Sequence, residues 1–129
     1  MQAFLQQALG NDFVVESAGT NRESAGQPAN SYSLKCLELR GIDLKGHTSR
    51  WIGDLSLADY AHIVCVGADE KAKVIEQFGD SELPVIMIAN EENGGIPDPY
   101  EKGWNAYQVC AGTIRRVMPQ VAQYIKQAA

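Results

Sequence analysis

Two short apolar runs limit what this chain can fold into. One is Ala61-His62-Ile63-Val64-Cys65-Val66 and the other is Pro84-Val85-Ile86-Met87-Ile88-Ala89. Apart from His62, neither alternates with polar residues. Each therefore reads as a strand covered on both faces, which is the pattern of a parallel sheet between helices. Parallel neighbours need a crossover connection, and Gly67 followed by helical spacing over about residues 69–78 supplies one.

The rest of the chain fits the same plan. Residues 2–9 read as a helix with Phe4, Leu5, Ala8 and Leu9 on one face and Gly10-Asn11 as its stop. Only Met1 precedes it, so it has no capping residue. Residues 13–17 are expected to form a short strand from their β-branched content. A Gly/Ser/Asn-rich loop covers residues 18–29. Asn30 or Ser31 caps a helix running to Arg40, with Gly41 at its end. Residues 42–50 are irregular, and residues 54–60 read as a short helix. The last helix starts near Trp104 and carries Tyr107, Cys110, Ala111, Ile114, Val117 and Val121 at helical spacing. Pro119 should kink or break it. Helices alternating with strands predict one domain, residues 1–129, with an α/β fold of three α/β/α layers and a short parallel sheet.

Charge and cysteine usage narrow the function classes. The formal net charge is −5 and no Lys/Arg run occurs, so neither nucleic acid nor a membrane surface is an expected partner. Three widely spaced cysteines, Cys36, Cys65 and Cys110, with no C-x-x-C, fit reduced thiols in a cytoplasmic protein. They fit neither a disulfide framework nor a zinc site, and no cofactor is expected. Each reads first as a small buried hydrophobe.

Chemistry concentrates in the loop after the second apolar run. In Ile96-Pro97-Asp98-Pro99-Tyr100, two prolines stiffen the backbone around a carboxylate. By itself the segment is a turn, flanked as it is by Gly94-Gly95 and Gly103. In an α/β fold, however, ligands bind beyond the carboxyl ends of the strands. The loops after Ser17, Val66 and Ala89 all belong to that edge. A rigidly held carboxylate there suits a general acid.

The ordered set of motifs resembles the low-molecular-weight protein tyrosine phosphatases. The matching pieces are Glu16-Ser17-Ala18-Gly19-Thr20, Gly26 with Pro28, Gly41-Ile42-Asp43-Leu44, His47-x-Ser49-Arg50, Asp59-Tyr60 and Asp98-Pro99-Tyr100. The resemblance implies a phosphotyrosine phosphatase I-like fold and phosphate monoester hydrolysis through a cysteinyl-phosphate. It implies Asp98 as the general acid and Tyr100 at the mouth of the pocket. Glu23 stands in the substrate loop where relatives often carry an aromatic, and Glu101 follows Tyr100 where many carry a second one. His47 and Ser17 would support the site.

Members of that family open with a strand and a C-x5-R-[ST] loop, in which the Cys is the nucleophile and the Arg and loop amides hold phosphate. Here residues 1–5 match the inside of the family's first helix. The expectation is therefore a chain lacking the first, inner strand, the nucleophile and the phosphate loop, about 15 to 20 residues in all. Such a chain would be inactive as given. With the start restored it would act on a phosphotyrosine protein or a small aryl phosphate. Alternatives are a non-catalytic descendant that binds a partner or a phosphorylated ligand, and an unrelated small-molecule-binding module. Cys65 with Lys71 imitates the missing loop poorly, because Asp69 and Glu70 lie between them and repel phosphate. The related thiol-dependent arsenate reductases use further cysteines in a relay, and Cys65 has no second cysteine near it in sequence. Loss of an inner strand also predicts either closure of the flanking strands or a homo-oligomer formed by strand or element exchange.

Overall fold

A computed structural model describes residues 1–44, 46–78 and 84–128. Among the described residues four α-helices and two strands form the frame: α1 (Gln2–Leu9), α2 (Ser31–Glu38), β1 (His62–Cys65), α3 (Ala68–Phe78), β2 (Val85–Ile88) and α4 (Trp104–Ala128). β1 and β2 are parallel neighbours, with His62 opposite Val85 and Cys65 opposite Ile88. The two apolar runs are thus strands joined by a helical crossover, as their sequence requires.

Alternation along the strands separates two cores. On one face Val64, Val66 and Met87 pack against a cluster built from Phe4, Leu5 and Leu9 of α1 and Val117, Met118 and Val121 of α4. On the other face Ile63 and Ile86 pack with Cys65, Val74 and Phe78. Helices therefore cover both faces of a short parallel sheet, giving three layers. A third cluster joins α2 to α4 through Cys36, Tyr107 and Ala111. No helix among the described residues is long and apolar enough to cross a membrane.

Local signals explain most boundaries. α1 begins at Met1 with no side-chain cap. α2 is capped by Asn30, whose side-chain oxygen accepts the Tyr32 amide at 2.8 Å. It ends at Glu38, two residues short of the expected Arg40, and Gly41 follows in the left-handed region at φ 77°.

Three expectations are corrected. Residues 13–17 are not a strand. A strand is a property of a pair, and here side chains take the place of a neighbouring backbone. Gln6 Nε2 donates to the Phe13 carbonyl at 2.8 Å, Gln6 Oε1 accepts the Val15 amide at 3.0 Å, and Gln2 Nε2 donates to the Val15 carbonyl at 3.1 Å. Residues 54–60 hold no α-helix; two 3-10 turns, Ile52–Asp54 and Leu57–Asp59, stand there. Pro119 does not break α4, which runs through it for 25 residues. The penalty of an interior proline is about 3 kcal/mol. Burial of Val117, Met118, Val121 and Ile125 around it contributes about 1.5–3 kcal/mol per large side chain, which exceeds that cost.

β1 is less enclosed than its composition predicts, with only Cys65 fully buried. Residues 13–17 and β1 do not close onto each other. Between them lies a groove of about 540 Å³.

Candidate active site

The loop that carries Asp98 is fixed to the carboxyl end of β1. The Ala89 amide donates to the Cys65 carbonyl and the Ile96 amide to the Val66 carbonyl, each at 2.8 Å. Between these anchors Asn90 turns the chain in the left-handed conformation, its side chain donating to the Gly95 carbonyl at 3.2 Å. Gly95 is required by space as well as by its φ of 95°, since a β-carbon would approach the Val66 carbonyl oxygen to 2.4 Å.

Beyond this clamp Asp98 is exposed and points its carboxylate back on its own loop. Its Oδ1 accepts the Tyr100 amide at 3.0 Å, an Asx-type turn that orients the carboxyl group. Tyr100 is 61% exposed. Asp98 also helps line a recess of about 330 Å³ against α4, with Lys102, Asn105, Val109, Cys110 and Thr113. Burial pushes the Tyr107 phenol above its ordinary pKa, and the nearby Asp98 carboxylate adds to the shift. Tyr107 and Trp104 both pack near Tyr32, with ring centroids 5.2 and 5.9 Å away. Lys35 sits over the Trp104 ring at 4.9 Å. This aromatic group was not legible in sequence, because Tyr32 lies far from the others along the chain.

Ser17, Glu23 and His47 belong to a second set of loops. Gly19 bridges residues 50–52 through the Arg50 carbonyl at 2.7 Å and the Ile52 amide at 2.9 Å. The Gly26 amide donates to the Ser49 carbonyl, and Ser49 Oγ donates to the Ser24 carbonyl. Ser17 Oγ donates to Gln2 Oε1 at 2.5 Å. Glu23 is exposed on the 3-10 turn Arg22–Ser24, its amide bonded to Asn21 Oδ1. The aromatic ring of this region is Trp51, with the Arg22 guanidinium 5.1 Å above it. His47 is half-buried, and its amide donates to the Leu44 carbonyl. Among the described residues no hydrogen bond or ion pair joins Asp98 or Tyr100 to Ser17, Glu23 or His47.

A charged triad links these loops to the start of β1. Glu16 Oε2 accepts from Tyr60 Oη at 2.6 Å and from Arg50 at 3.2 Å. Arg50 also donates to the Ser17 carbonyl. The Tyr60 hydrogen bond, then that of Arg50, hold the Glu16 carboxyl below the usual carboxylate range.

Burial raises all three thiols above the ordinary cysteine range. Cys36 is 2% exposed within α2, and burial pushes its pKa up. Cys65 is raised by burial and further by Glu70, against a smaller opposing effect of Lys71. Cys110 is raised chiefly by burial, and its Sγ faces the Pro97 carbonyl at 3.7 Å. Cys110 and Arg116 do match C-x5-R in spacing, but both lie inside α4. Six residues of helix set them about 9 Å apart along the axis and about 120° apart around it. The intervening amides are committed to the helix, so they form no phosphate cradle. Among the described residues no group of three or more His, Cys, Asp or Glu is placed to hold a metal ion.

Helices cover both faces of a short parallel sheet, and the Asp98 loop leaves its carboxyl edge. The family model for low molecular weight phosphotyrosine protein phosphatase matches residues 1–129, and the chain belongs to that family. Solved structures agree on the fold. Wzb from Vibrio vulnificus in complex with benzylphosphonate superposes with a TM-score of 0.84 at 19% identity, over 95% of this chain and 86% of that one. A YwlE mutant from Bacillus subtilis gives 0.83 at 19% identity, over 97% and 87%. The YwlE arginine phosphatase from Geobacillus stearothermophilus gives 0.83 at 18% identity, over 98% and 83%. No curated protein sequence matches the chain.

Proposed function

We propose that these 129 residues are the scaffold and general-acid part of a phosphate monoester hydrolase, and that on their own they do not turn over. The observation that carries this is the contrast between Asp98 and the thiols. Asp98 stands exposed on a loop clamped to the end of β1, whereas burial raises every cysteine above its ordinary pKa. A phosphatase of this family needs a thiolate for in-line attack on phosphorus and an acid for the leaving phenolate. Asp98 supplies the second role. Tyr100, exposed on the same loop, offers a ring to an aryl phosphate. Glu23 and the Arg22–Trp51 pair border the opposite loop.

The test is a chimera in which the first strand and C-x5-R loop of a solved relative precede Met1. It should hydrolyse aryl phosphates. Asp98→Asn in it should slow release of a poor leaving group by about 10²–10⁴-fold, with much less effect on an activated one. Equal rates for the two versions on the poor leaving group would remove Asp98 from the acid role.

A further inference from the structure

Two cysteines far apart in sequence meet where α2 packs on α4. Cys36 of α2 shares a buried cluster with Tyr107 and Ala111 of α4. Cys110 stands between those two in sequence. Residues three and four apart are neighbours on a helix surface, so positions 107, 110 and 111 share one face. The backbones of α2 and α4 come within 8 Å of each other there. Burial is the main cause of the raised Cys110 pKa, and the nearby Cys36 thiol adds to it.

The two thiols differ in access. Cys110 is half-buried and lines the recess against α4 together with Pro97, Asp98 and Lys102. Its Sγ rests on the Pro97 carbonyl, one residue ahead of Asp98. Cys36 is 2% exposed and lies behind it. Its surroundings are basic: Arg40 Nη1 donates to the Cys36 carbonyl at 2.8 Å. Burial raises the Cys36 pKa, while Arg40 and Lys35 act against that rise and favour the thiolate. An accessible thiol with a second one buried behind it is the arrangement of an attacking and a resolving cysteine. Cys65 stands apart, in the cluster of Ile52, Val74 and Phe78.

We infer that Cys36 and Cys110 form a reversible disulfide that ties α2 to α4, draws the Cys110 sulfur off the Pro97 carbonyl and so loosens the Asp98 loop. The oxidant is a small disulfide of the glutathione class. The Cys110 thiolate attacks one sulfur of it, the S–S bond of the oxidant breaks, and the departing glutathione thiolate takes up the proton that Cys110 lost. The Cys36 thiolate then attacks Cys110 Sγ in the mixed disulfide and expels the second glutathione, which takes up the proton from Cys36. Two protein thiols are oxidised, and one oxidised glutathione is reduced to two thiols. Because both protein thiols hold little thiolate at neutral pH, the exchange is slow and answers to a sustained oxidising poise. The disulfide does not depend on Asp98 acting as the general acid, and its test reads no activity.

The test uses the full chain with Cys65→Ala, which leaves Cys36 and Cys110 as its thiols. The folded protein is equilibrated with oxidised glutathione, quenched in acid, alkylated and digested with trypsin without reductant. The expected product is a monomer about 2 Da lighter than the reduced chain. It carries no alkylated cysteine, and residues 36–40 are joined to residues 103–115. Dithiothreitol should restore both thiols. With Cys36→Ser added, Cys110 should stop at the glutathione adduct. The Tyr100 amide, held by Asp98 Oδ1 in the reduced protein, should exchange at least about threefold faster in the oxidised one. A glutathione adduct on Cys110 beside a Cys36 that stays free overturns the inference. So does a disulfide-linked dimer, or a cross-link that forms only in unfolding concentrations of urea. Unchanged exchange at Tyr100 overturns the link from the disulfide to the Asp98 loop.

Discussion

Gly95 lies against the carbonyl of Val66 so closely that a β-carbon there would come within 2.4 Å of the oxygen. This contact sets where the Asp98 loop leaves the end of β1. Gly95→Ala adds both the clash and the strain of φ 95°. It should cost about 1–3 kcal/mol in urea unfolding and displace the loop. An unchanged midpoint with an unchanged Tyr100 environment would show that the clamp is not needed.

The thiols provide a second test. Because burial raises Cys36, Cys65 and Cys110, each holds less thiolate at neutral pH than a free cysteine. All three should react with iodoacetamide more slowly than a peptide thiol, with half-buried Cys110 first. Modification of Cys65 faster than the peptide would reveal an activated thiol.

Glu16 gives a pH signature. Its folded pKa is depressed, first by Tyr60 and then by Arg50. A depressed carboxyl adds stability that is present above its unfolded pKa and is lost as pH falls through the folded one. Tyr60→Phe should therefore raise the Glu16 titration midpoint in an NMR titration. Its small destabilisation should be seen at pH 7 and vanish in the acid range below the ordinary value of 4.5. A stability difference unchanged at low pH would mean that Tyr60 acts by packing alone.

Pro119 is exposed and lies inside α4. Pro119→Ala restores a backbone donor and removes a ring clash, so it should stabilise the protein by about 1–3 kcal/mol in denaturant unfolding. Destabilisation would show that α4 needs a bend there.

Sequence carried the elements whose signal is local. The apolar runs at residues 61–66 and 84–89 became β1 and β2, and the stripe from Tyr107 to Val121 became the buried face of α4. Asn30 was readable as a cap because capping needs only a side chain and the next turn. Where the outcome depends on a distant partner, the signal failed. Val14 and Val15 favour a strand, but Gln2 and Gln6 take up the Phe13 and Val15 backbone instead. Pro119 argues for a break, yet packing of Met118 and Val121 on α1 keeps the helix continuous. Asp98 was singled out by its two prolines. The packing of the Tyr32, Trp104 and Tyr107 rings, and the clamp from Gly95 to Val66, exist only after folding.

The central proposal is that these 129 residues hold an acid and a scaffold but no nucleophile. The direct measurement is hydrolysis of p-nitrophenyl phosphate by the purified chain, run beside a Cys36→Ala, Cys65→Ala, Cys110→Ala triple variant. The two should give the same rate, equal to that of buffer. A rate above buffer in the parent that disappears in the triple variant would place the nucleophile among these three cysteines and contradict the account.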